Sequence, residues 1–193
     1  MLNYPFECTK YSGVVFSHPA FSGWSFYAGV RCSANASIIQ ASCSYPYYGS
    51  QGAGANAALA HLNEGTVEFS STLVSTYNSG ASAVTGSLSI TIWNRLTITS
   101  SNAHIYANGT WQTVISGLNI YSSLGAPKSF SVKASSSELV IVAGGVEKRA
   151  VYEPLEGMTN NISFNVMCDA AYNGVHFATN AAIYAPGEIK ITT

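Results

Sequence analysis

Glu64 and Glu68 stand four residues apart, and paired carboxylates are what a glycosidase needs. Such an enzyme holds two carboxyl groups about 5–10 Å apart on opposite sides of a sugar bond. Along one extended strand, residues four apart point to the same face. This pair is therefore expected as charge at a hairpin edge or an interface. Glu153 and Glu156 flank Pro154 and read as solvated loop charges. Histidine is the next source of acid–base or metal chemistry. His18, His61, His104 and His176 lie far apart, with no H-x-H or H-x-x-x-H spacing, and read as ordinary strand histidines. Cys8, Cys32, Cys43 and Cys168 form no C-x-x-C pair, so buried free thiols are expected. An oxidising compartment would allow Cys32 and Cys43 to close a hairpin. Neither a G-x-S-x-G elbow nor a phosphate-binding glycine pattern occurs. The chain reads as non-enzymatic, with no metal and no cofactor.

The aromatic residues carry the hint of binding. Phe69, Trp93, Phe130, Phe164 and Phe177 fall within alternating runs and are expected in the core. The stretch SYPYYGS, residues 44–50, is different, because its Pro, Gly and Ser mark a loop. Tyr45, Tyr47 and Tyr48 cannot all turn inward there. Tyrosine offers a rigid ring with a polar tip, which both sugar sites and protein interfaces use. Either a sugar or a neighbouring subunit fits this loop. Trp24, Trp111 beside a hairpin turn, and Tyr172 with Asn173 at a second hairpin tip are further contact candidates.

These residues must be positioned by strands. Asn108-Gly109 and Asn173-Gly174 are hairpin turns, since both residue types accept the positive φ of a type I′ turn. Alternating runs cover 66–77, 87–99, 104–107, 110–115, 129–134, 138–143, 161–172, 175–185 and 187–192. Turn residues separate them at spacings of about 8–12 residues, the mark of a sandwich or barrel. Residues 14–21, 25–32 and 37–45 also read as strands, and 44–56 reads as a long loop. Residues 55–65 are the only plausible helix, about two turns long, and fit an irregular strand equally well. The fold class is all-β: an antiparallel two-sheet sandwich of the jelly-roll kind with at most one short helix. One domain spans 1–193, with 1–54 less regular and a possible region of assembly contact.

Gly65-Thr66-Val67-Glu68-Phe69, Trp93 followed by Leu96-Thr97-Ile98-Thr99, and Tyr106-Ala107-Asn108-Gly109 occur in that order. In this order and spacing, residues 55–115 resemble the concanavalin A-like, laminin-G-like jelly roll. The resemblance implies two antiparallel sheets packed face to face and a role in carbohydrate binding, as on bacteriophage fibres. Calcium-binding members use acidic ligands, usually Asp, and calcium takes six to eight oxygens. Asp169 is the chain's only Asp, so no metal site carries over. The E-x-D-x-x-E strand of the family's glycosidases is also missing.

Charged residues make up 9% of the chain, against roughly 25% in an ordinary soluble domain. A formal net charge of −1 leaves little repulsion between copies. A homo-oligomer is expected, with a trimer favoured. Lys and Arg are scattered apart from Lys148-Arg149, which argues against a nucleic-acid partner. No apolar run approaches the ~20 residues of a spanning helix, so no membrane partner is expected. The start MLNYPFECTK lacks the features of a secretion signal. The chain is therefore expected to be made in a host cytoplasm and to reside on a virion. The function read from these features is a virion structural subunit, a phage fibre, decoration or receptor-binding protein. It would contact other capsid or tail proteins or a host surface glycan. A soluble carbohydrate-binding module or lectin, and a jelly-roll capsid subunit, are the alternatives.

Overall fold

The computed structural model describes the backbone of residues 6–7, 14–15, 25–28, 32–35, 38–44, 51–79, 81–172, 178–184 and 189–193. Side chains are described within 39–41, 52–76, 84–169, 181–184 and 189–193. The strands in order are β1 (Phe6–Glu7), β2 (Val14–Val15), β3 (Ser25–Ala28), β4 (Cys32–Asn35), β5 (Ile38–Ser44) and β6 (Gln51–Ala58). Next come β7 (Thr66–Ser79), β8 (Ala81–Ile92), β9 (Leu96–Thr99), β10 (Asn102–Ala107), β11 (Thr110–Ser116) and β12 (Ser122–Ser123). The rest are β13 (Lys128–Ala134), β14 (Glu138–Ala143), β15 (Val146–Val151), β16 (Asn161–Tyr172), β17 (Ala178–Tyr184) and β18 (Lys190–Thr192).

They form two sheets. The first runs β1-β4-β5-β17-β7-β13-β14-β15, with β18 beside β7. The second runs β11-β10-β9-β8-β16-β6-β3-β2, with β12 beside β8. The pairings between these strands are antiparallel, so the expected sandwich is what the chain forms. The alternation that marks each strand in the sequence is also the alternation of burial. In β14, Leu139, Ile141 and Ala143 are buried, and the residues between them are half-exposed. The two inner faces share one apolar core. Phe69 of β7 meets Phe164 of β16 edge to face, with ring centroids 5.3 Å apart. Trp93 and Phe130 are buried as expected, while Phe177 lies outside the described residues.

Three expectations are corrected. Residues 87–99 are not one strand. Trp93 and Asn94 take φ of 60° and 56°, and the chain reverses between β8 and β9. Residues 51–56 are strand rather than loop, and 55–58 continue that strand, the second of the two forms open to 55–65. Ala53, Ala55 and Ala57 are buried in β6, which is laddered on both sides by β16 and β3. Glu64 is not on the strand with Glu68. It sits in the bend before β7 and hydrogen-bonds His61 at 2.8 Å, so that His61 is a turn rather than a strand histidine. VEKRAV at 146–151, which is not among the alternating runs, is an edge strand, β15, whose charge hides its alternation. Lys148 Nζ donates to the Ser116 carbonyl at 2.7 Å. That bond joins β15, at the end of one sheet, to β11 at the end of the other.

Candidate functional site

The outer face of the second sheet is built from the residues that alternate with its buried ones. Cross-strand register aligns one from each of six strands: Asn56, Ser163, Thr91, Thr97, His104 and Thr113. Strands lie about 4.8 Å apart, so the row extends roughly 24 Å. Its hydroxyls are already partly engaged. Thr91 Oγ1 lies 3.2 Å from Thr97 Oγ1, and His104 Nδ1 lies 3.0 Å from Thr113 Oγ1. Asn165, Ser89 and Thr99 align in a second row on the same face. Serine, threonine and asparagine each donate and accept, so the surface can match a ligand rich in hydroxyls without carrying charge.

One register step further, at the turn between β8 and β9, the face ends in Arg95, Tyr106 and Trp111. The Tyr106 amide donates to the Arg95 carbonyl at 2.7 Å, and Tyr106 lies directly across from Trp111. The Arg95 guanidinium carbon sits 5.3 Å from the centroid of the Tyr106 ring. That ring meets the Trp111 ring edge-on at 5.4 Å. Guanidinium, phenol and indole form one continuous chain of contacts, with Trp111 50% exposed at its outer end. The turn that places Arg95 here is held from inside. The buried Trp93 indole donates to the Leu62 carbonyl at 2.6 Å.

The chain's sequence matches no protein-family model and no curated protein. Among solved structures it is similar over 88% of its length to one titled "Sialidase", at 10% identity and TM-score 0.47. It spans only 17% of that protein. It is similar to the potassium-bound carbohydrate recognition domain of Emp46p, at 7% identity and TM-score 0.44, covering 76% of this chain and 88% of that one. The CBM2 module of the evolved Dit of Lactobacillus casei BL23 phage J-1 is similar at 7% identity and TM-score 0.45, over 78% of this chain and 76% of that one. These likenesses are distant, and the reading of the site rests on the side chains of this chain.

Of the contact residues expected from sequence, Trp111 falls in this site. Tyr45, Tyr47, Tyr48, Trp24 and Asn173 lie outside the described residues. Tyr172 ends β16, and its side chain is not among those described. Cys168 is buried, as expected. Cys32 pairs in register with Ala41, two positions short of Cys43. Arg95, Tyr106 and the polar row are the site residues that sequence reasoning passed over. The signal for Arg95 was Asn94, a residue that accepts positive φ inside an apparently unbroken run.

The outer face of the first sheet has a different character. Glu68 is flanked in register by Lys133 and Lys190. Arg149 pairs with Glu138 at 3.2 Å and approaches Glu147 at 3.9 Å. A groove of about 730 Å³ on that sheet is bordered by Ser70, Thr72, Ser129, Ser131 and the exposed Tyr184. On the second sheet, Asp169 and Arg95 stand near opposite ends. The outward side chains described between them include no Asp, Glu, Lys or Arg. Among the described residues there is no group of three His, Cys, Asp or Glu placed to hold a metal.

Proposed function

We propose that this protein is a non-enzymatic glycan-binding β-sandwich, and that the outer face of the second sheet is its binding surface. The observation that carries this reading is the row without Asp, Glu, Lys or Arg across six strands, with an exposed tryptophan one register step from its Thr113 end. A sugar presents hydroxyls around its rim and C–H groups on its face. Threonine, serine and asparagine match the rim, and the Trp111 ring matches the face. A row of roughly 24 Å suits an oligosaccharide better than a monosaccharide. What supports a virion setting is compositional: a charged fraction of 9% and a net charge of −1 suit packing against like subunits. There the protein would be a fibre, decoration or receptor-binding subunit, and its ligand a glycan of the host surface.

A glycan array followed by calorimetry tests the activity. Wild type should bind an oligosaccharide, and Trp111→Ala should weaken that binding about tenfold or more, as losing an aromatic anchor does. The melting temperature should barely move, because the ring is half exposed. An array on which nothing binds the folded protein refutes the reading.

A further inference from the structure

Arg95 is an unusual residue for this face. Two of its N–H groups are held by main-chain carbonyls: Nε by Glu156 at 2.8 Å and Nη1 by Asn94 at 3.0 Å. Its flat side rests on Tyr106. Gly157, at φ +64°, leaves the space the guanidinium fills, since a Cβ there would lie 2.8 Å from Nη2. The group is therefore fixed in position before any ligand arrives. A guanidinium carries five N–H donors, so three remain after these two bonds. None of the ion pairs among the described residues involves Arg95. Arg149, by contrast, has two carboxylates beside it. Arg95 instead lies one register step from Thr97 of the neutral polar row, with Tyr106 between it and the exposed indole.

We infer that the site selects an acidic sugar, one whose carboxylate docks on Arg95 while its neutral portion lies along the threonine row and Trp111. This deepens the glycan-binding reading and rests on it. A preorganised fork of parallel N–H groups matches the two oxygens of a carboxylate. One cation on the face matches one negative charge. Sialic acids and uronic acids are the sugars that carry it.

The test uses the whole chain and matched ligands. Calorimetry is run with sialylated and uronic-acid oligosaccharides as free acids, as methyl esters, and as their neutral parents. The free acid should bind about tenfold more tightly than its ester, the margin of a charge-assisted bond over a neutral one. Arg95→Gln should bring the acid-to-ester ratio near one, and Arg95→Lys, which keeps charge but loses the fork, should leave an intermediate ratio. Gly157→Ala should lower the ratio by displacing the guanidinium. If Arg95→Gln does not fold, the wild-type acid-to-ester ratio alone decides. Equal, measurable binding of acid and ester by wild type overturns the inference while glycan binding stands. No binding of acid, ester or neutral parent overturns both.

Discussion

At the scale of single residues, the site depends on backbone conformations that side chains rarely adopt. A bulky residue at positive φ is uncommon, yet Trp93 holds φ of 60° because its indole is buried and bonded to the Leu62 carbonyl. Together with Asn94 it reverses the chain and presents Arg95 across from Tyr106. A different residue governs behaviour at high pH. The Tyr152 hydroxyl donates to the Ser135 carbonyl at 3.1 Å. Burial, and secondarily the Glu138 carboxylate, hold its phenol well above the ordinary tyrosine range. In the unfolded chain it ionises near pH 10. Below that pH both states keep the proton, and its contribution to stability is level. Above it the unfolded state loses the proton first, so stability falls as pH rises, by at most about 1.4 kcal/mol per unit for one proton. Urea unfolding from pH 8 to 11.5 should show a shallower alkaline decline for Tyr152→Phe than for wild type. Parallel declines would refute the assignment.

At the scale of elements, the hairpin of β10 and β11 carries both the tryptophan and the tyrosine. Asn108 and Gly109 take φ of 51° and 78°, the two positive values of a type I′ turn. A Cβ on Gly109 would meet nothing within 4 Å, so Gly109→Ala acts through the backbone alone. It should cost about 1–2 kcal/mol in chemical denaturation, without a change in the core. This turn was legible in the sequence because Asn-Gly has few other uses between alternating strands. The reversal at Trp93 was harder to see, because Asn94 is its one local signal and burial of Trp93 supplies the rest. Strand β6 was misread for the opposite reason. Its Gly and Ala residues have weak strand preference, and only pairing with neighbours on both sides makes them extended. The polar row was invisible too. Its six residues come from six strands, and register, not spacing along the chain, brings them into line.

At the scale of the whole molecule, charge is sorted. The first sheet's outer face holds a lysine–glutamate–lysine row and the arginine pairs, while the second sheet's face is nearly neutral. A protein with so little charge has weak repulsion between copies. Light scattering behind size exclusion should give a mass near three times 20.3 kDa. A mass of 20.3 kDa at every concentration would refute self-association. The same scarcity of charge has a consequence for the margins of the sheets. An open strand is a template on which further strands can add, and chains grow into fibrils that way. Strand β15 sets Glu147, Lys148 and Arg149 in succession along such a margin. The central ammonium group reaches over to Ser116 and bridges the gap to the other margin. Lys148 thus ties the two margins together on this side, and the charges of β15 are of the kind that discourages strand addition at an edge.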